Sequence, residues 1–168
     1  MTSPRQSRYG AAMAIVDVKD LKSSLAQGQR LMGLDLGSKT IGLALSDVNL
    51  SVASPLETIK RSKFTKDATH LIELIDTHEV GALVLGMPFN MDGSEGPRCQ
   101  STRDFAINFR NLREMPVAFW DERLSTSAVE RMLVTDVDMT RARRAEVIDK
   151  LAAAYILQGA LDALAHRG

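Results

Sequence analysis

Leu31-Met-Gly-Leu-Asp-Leu-Gly-Ser-Lys-Thr-Ile-Gly-Leu-Ala-Leu-Ser46 is the stretch that decides the fold. Its first half, Leu31 to Leu36, reads as a buried strand ending at Gly37. Ile41 to Ser46 alternates large with small residues, as a second strand does. Only Gly37 to Thr40 lie between them. That leaves room for a tight turn and none for a helix, so the two strands are expected to be antiparallel neighbours. An ordinary doubly wound sheet, which wants a helix at that point, is excluded.

Downstream, a third strand is expected around Val52 to Ile59, with Pro55 pointing to an edge or irregular position. Phe64 to His78 carries helical periodicity through Ala68, Leu71, Ile72 and Ile75. Ala82-Leu-Val-Leu85 is wholly apolar, the mark of a strand covered on both faces. Gly86 to Pro97 is a loop with an Asp92-Gly93 turn, followed by a helix from about Gln100 to Arg113 and a strand at Pro116 to Trp120. Ser127 and Glu130 form a capping box for a helix through Leu133. A charged loop spans Asp136 to Arg144, and the last helix runs from about Ala145 to Ala165.

Upstream, residues 1 to about 14 read as a flexible arm, and Asp17 to Ala26 as a short helix ended by Gly28. The chain therefore divides into an arm, 1–29, and one domain, 30–168. The domain is α/β, with a five-stranded mixed sheet: three antiparallel strands, then two parallel ones reached through helical crossovers. Helices flank the sheet. This is the arrangement of a ribonuclease H-like fold.

Lys plus Arg and Asp plus Glu both number 21, so the formal net charge is zero and any nucleic-acid contact must come from local basic patches. A single cysteine, Cys99, excludes a disulfide framework and a multi-cysteine metal cluster. His70, His78 and His166 lack metal-ligand spacing, which argues against zinc. No apolar run reaches the roughly 18 residues of a membrane span. A cytoplasmic protein is expected.

Three acids stand out. Asp35 interrupts an apolar strand just before Gly37, where a carboxylate is costly unless something positive meets it. Asp149 shares a helix face with Ala152, Ala153 and Ile156 in a segment apolar nearly all round, and small alanines let that face lie close to the sheet. The third acid follows the strand ending at Trp120, where α/β sheets collect ligands beyond their carboxyl ends. Asp121 and Glu122 both qualify, and alternation points only one of them at a shared site. Three such carboxylates suit one or two Mg²⁺ or Mn²⁺ ions, hard cations that take oxygen ligands and serve phosphodiester hydrolysis. Each acid also has a bland reading: turn hydrogen bonding for Asp35, helix-dipole stabilisation for the others.

Lys39, Arg98, Arg103, Arg123, Arg141, Arg143 and Arg144 are candidate phosphate contacts, with a solvated surface charge as the alternative for each. Asn90 and Asp92, in the loop after the fourth strand, either touch substrate or organise the turn.

Asp35-Leu-Gly-Ser-Lys-Thr-Ile-Gly42, Val84-Leu-Gly-Met-Pro-Phe-Asn-Met-Asp-Gly93, Asp121-Glu-Arg-Leu-Ser-Thr126 and Asp149-Lys-Leu-Ala-Ala-Ala-Tyr-Ile-Leu157 resemble, in order, the signatures of the YqgF family. Its members are bacterial proteins similar to the Holliday-junction resolvase RuvC. The resemblance runs from about Arg30 onward. It implies a ribonuclease H-like nuclease that matures the 5′ end of 16S rRNA, with Asp35, Glu122 and Asp149 as catalytic and metal-holding acids. Precursor rRNA is then the expected partner, with branched DNA as the alternative and ribosomal particles as further company. Two departures are Thr40, where many members carry Arg, and Glu146, in a stretch that is often basic.

Two other readings compete. A sugar-kinase or actin-like ATP-binding domain shares an Asp-x-Gly strand turn, but such proteins clamp nucleotide between two fold copies and this chain has one. A non-catalytic RNA- or ribosome-binding module fits the zero net charge, though it leaves the acids without a purpose.

Overall fold

The computed structural model describes residues 15–124 and 141–167. The expected capping box of Ser127 and Glu130, the helix through Leu133, the start of the charged loop at Asp136 and the arm before Ile15 lie outside the described residues.

The strands are β1 (Ile15–Val16), β2 (Arg30–Leu36), β3 (Thr40–Ser46), β4 (Ala53–Lys60), β5 (Val80–Met87) and β6 (Val117–Asp121). The helices are α1 (Leu21–Ser24), α2 (Phe64–Thr77), α3 (Pro97–Leu112) and α4 (Arg141–Arg167). The sheet order is β1-β6-β5-β2-β3-β4. As the short turn demands, β2 and β3 are antiparallel, and so are β3 and β4. The strands β5, β6 and β1 continue parallel from β2.

The sheet has six strands, not five. The extra one, β1, pairs Ile15 with Val117 and Val16 with Ala118. Two residues are too few to show an alternating pattern, so only the distant partner defines this strand. The expected helix over Asp17 to Ala26 is shorter than its periodicity implied: a 3₁₀ turn, Val18–Asp20, leads into α1. The last helix begins at Arg141, so the final residues of the expected charged loop are helical.

Pro55 sits on the outer strand, where the pairing slips: Leu43 faces Glu57, but Ala44 faces Pro55. Leu56 is the bulged residue, and a proline at an edge costs no ladder hydrogen bond.

Alternation gives the sheet two different faces. Met32, Leu34, Leu36, Ile41, Leu43, Leu83 and Leu85 pack against Leu71 and Ile75 of α2 and Phe105 and Phe109 of α3. The opposite face carries Leu31, Ala44, Ala82, Val84 and Ala118, and packs against Ala153, Ile156, Leu157, Ala160 and Leu161 of α4. That second face is built of small residues, so α4 lies close to the backbone of the strands.

Val18 and Leu21 belong to the same layer as α4. Leu21 is fully buried, so Leu21→Ala is expected to lower unfolding stability by about 3 kcal/mol, read as a shifted urea midpoint at unchanged slope. An unchanged midpoint would show that the segment before β2 adds nothing to the core.

Candidate active site

Asp35 is set by strand alternation. Leu34 and Leu36 point toward α2 and α3, so Asp35 points to the thin face covered by α4. Its neighbour across the ladder is Gly42 of β3. A side chain at Gly42 would collide with the Asp149 carbonyl. The bare backbone there is what lets α4 carry Asp149 down beside Asp35.

Asp149 is held in place. Thr40 Oγ1, at the start of β3, donates to Asp149 Oδ2 at 2.6 Å. Burial raises the Asp149 carboxyl above its usual range, the Thr40 bond lowers it, and Glu146 one turn earlier raises it. Thr40 thus serves to orient an acid.

Glu122 opens the 3₁₀ turn, Glu122–Leu124, that follows β6. Its carboxylate lies over Gly86 of β5, where an added Cβ would come within 2.9 Å of Oε2. Burial raises the Glu122 carboxyl, Arg98 lowers it and Asp121 raises it. Asp121 points elsewhere: Arg123 donates to both of its oxygens, at 3.0 and 2.6 Å, and holds its carboxyl below the usual range. Of the two neighbouring acids, Glu122 is the one whose charge reaches Asp35.

The electrostatic consequence falls on Asp35, whose pKa is raised to about 7. Desolvation is the largest cause, followed by the charges of Glu122 and then Asp149, with Arg98 opposing. Among the described residues, no three His, Cys, Asp or Glu side chains are gathered tightly enough to grip an ion as they stand. The donor chemistry nevertheless fits a hard divalent cation. Glu122 and Asp149 raise the affinity of Asp35 for positive charge, and a proton on Asp35 takes the place such a cation would fill.

The expected contact residues divide. Arg98, in the first turn of α3, donates to Leu36 O at 3.4 Å and is the cation acting on Asp35 and Glu122. Lys39 is exposed on the β2–β3 turn. Arg143 and Arg144 lie in the first turn of α4, about a turn and a half before Asp149.

Arg123 is committed to Asp121 and to the carbonyls of Asn90 and Met91. Asn90 and Asp92 bond within their own loop, both to Ser94. Arg103 pairs with Glu95 and stacks over Phe119. The Trp120 ring packs on Gly159 of α4, which makes it core. Sequence reasoning missed Thr40 as an orienting group and Arg61, which grips the β2–β3 turn by donating to Gly37 O at 2.5 Å.

Comparison with known proteins bears on the family and the fold. The model of a family described as RuvX, Holliday junction resolvase, matches residues 29–163. A candidate pre-16S rRNA nuclease of Paramagnetospirillum magneticum is 62% identical over 150 residues, covering 89% of this chain and 96% of the relative. One from Rhodospirillum rubrum is 59% identical over 152 residues, covering 90% and 94%. Among solved structures, Thermus thermophilus RuvC superposes with a TM-score of 0.51 at 15% identity, over 82% of this chain and 97% of that one. RuvC of the same organism bound to a Holliday junction gives 0.50 at 17% identity, over 80% and 94%. At such identities these two structures establish the fold alone, and the fold is ribonuclease H-like.

Proposed function

The chain belongs to the RuvX family, and from that membership we propose that it is a metal-dependent endonuclease trimming the 5′ end of precursor 16S rRNA. The observation that carries the chemistry is Asp35, a carboxylate pushed to about 7 by burial and by the charges of Glu122 and Asp149. The proposed substrate is the one for which its relatives are named. The proposed place of action is the cytoplasm, beside the ribosomal particles that carry such RNA; no helix among the described residues is long and apolar enough to cross a membrane.

In this reading Asp35, Glu122 and Asp149 hold Mg²⁺ or Mn²⁺. When bound, the cation supplies charge to activate a water and to stabilise the leaving oxygen of a phosphodiester. The protein's own groups do the positioning. Thr40 fixes the Asp149 carboxylate, the glycine backbone at positions 42 and 86 gives the acids a common floor, and α4 excludes water from beneath them. Arg98 stands where it balances the acids and can meet a substrate phosphate.

A second reading, cleavage of branched DNA, is favoured by the family's description. One assay separates the two: purified protein with Mg²⁺ or Mn²⁺ on a precursor 16S rRNA fragment and on a synthetic four-way junction. Cleavage of the rRNA, lost on adding EDTA, is expected. Cleavage of the junction alone would transfer the function to branched DNA. Binding of RNA without cleavage of either substrate would leave a non-catalytic module.

A further inference from the structure

On the other side of the strand end that bears Asp35 there is a cavity of about 740 Å³. It is lined by the β2–β3 turn, by Arg61 and Ser62 before α2, and by Arg98, Ser101 and Phe105 of α3. No carboxylate lines it, although the chain as a whole has as many acids as bases. Two guanidiniums and the Ser38 and Ser101 hydroxyls therefore line one space, while Ser62 already donates to Asp67 and Thr102 to Arg98 O.

Both arginines are anchored and both keep donors to spare. Arg61 Nη1 donates to Gly37 O at 2.5 Å, and the same guanidinium sits 5.9 Å from the centre of the Phe105 ring. Arg98 Nη2 donates to Leu36 O at 3.4 Å. A guanidinium has five N–H groups in a fixed fork, so anchoring one of them orients the rest. Phe105 is buried beneath Arg61 and offers no open face for a base to stack on. The cavity suits an anion, not a nucleobase. Arg98 ties it to the acids, since its charge also acts on Asp35 and Glu122.

We propose that this cavity is a second phosphate site, in which Arg61 and Arg98 hold a backbone phosphate of the nucleic-acid strand next to the bond presented to Asp35. The proposal rests on the reading that the chain acts on nucleic acid. It gives Arg61 a role in substrate hold and makes the β2–β3 turn a partition: acids on one side, phosphate clamp on the other.

The test is equilibrium binding of a fluorescent single-stranded RNA oligonucleotide to the full chain in EDTA, across a salt series. Arg61→Gln is expected to weaken binding roughly tenfold, as loss of a charged hydrogen bond does. The slope of log K against log salt should shrink by about 0.7, the value for one phosphate contact on a single strand. Because Arg61 also anchors Gly37, a second variant is needed. Ser101→Asp adds an acid to the cavity from an exposed position near the start of α3, where the helix dipole tolerates it. It should weaken binding at least as much, with an unchanged melting temperature, and Arg61→Lys should restore part of the affinity.

Wild-type affinity and slope in both variants, or no binding by the wild type, overturn the site. Competition by inorganic phosphate as effective as by the oligonucleotide, at equal phosphate concentration, overturns its assignment to a strand. Loss of binding in the variants alongside a wild type that binds but never cleaves with Mg²⁺ or Mn²⁺ overturns the nuclease reading and leaves the site standing.

Discussion

Asp35→Asn is expected to lose metal-dependent cleavage by about a thousandfold or more, while making the metal-free protein more stable at neutral pH. The first half follows from charge: the amide keeps the shape of the carboxylate and removes the anion that draws the cation in. The second half follows from linkage. The Asp35 pKa is about 7 in the folded chain and 3.8 in the unfolded reference. Between those values the folded state binds more protons than the unfolded state, so stability falls as pH rises through that window. The slope from this one group is at most about 1.4 kcal/mol per pH unit. Below pH 4 wild type and variant should melt alike; the variant's advantage should grow up to pH 7 and then hold level.

Added Mg²⁺ or Mn²⁺ should reverse the order above pH 7, raising the melting temperature of the wild type and not of the variant. Paired melting curves over pH 4 to 8, with and without metal, measure all of this. A variant that cleaves like the wild type, or a metal-induced shift equal in both, would remove Asp35 from the site.

Gly42→Ala carries the next largest expected effect, here on the fold itself. The new Cβ would run into the carbonyl carbon and oxygen of Asp149 and reach 3.0 Å from Lys150 N. These are backbone atoms, which no rotamer change can clear, so α4 must lift from the sheet. A loss of about 3 kcal/mol in unfolding free energy is expected, together with loss of cleavage. Gly86→Ala is the informative contrast. Its Cβ would meet the end of the Ile156 side chain and Glu122 Oε2, both able to move. That variant should lose only about 1 kcal/mol but much of the activity, because the group it displaces is a carboxylate of the proposed site. Urea unfolding and single-turnover cleavage distinguish them. Equal stability losses would mean that the close approach of α4 at Gly42 does not constrain the fold.

How much of this was legible in the sequence depended on how local each signal was. The β2–β3 turn was readable because both strands and the connection lie within seventeen residues, 30–46. The facing of Asp149 came from the helical repeat, which needs no partner to be seen. Choosing Glu122 over Asp121 was harder. Ala118 and Trp120 both belong to the α4 layer, and alternation continued two residues further would have pointed to Glu122. The strand stops at Asp121, however, and the choice fell to family resemblance. Strand β1 and the Arg61 cavity gave no local pattern at all. One is defined by a partner about a hundred residues away, the other by three segments that meet only in the folded chain.

The bond between Thr40 and Asp149 joins residues 109 apart in sequence. Closing so long a loop costs entropy that only the finished helix–sheet contact repays, so this contact belongs among the late events of folding. Before it forms, the segment from β2 to Glu122 can gather at most two of the three acids. If Asp35, Glu122 and Asp149 act together as proposed, hydrolytic competence is acquired in one step, when the last helix seats on its glycine floor. On that reading a partly folded chain would leave the RNA around it uncut, and the moment of completion would double as the moment of activation.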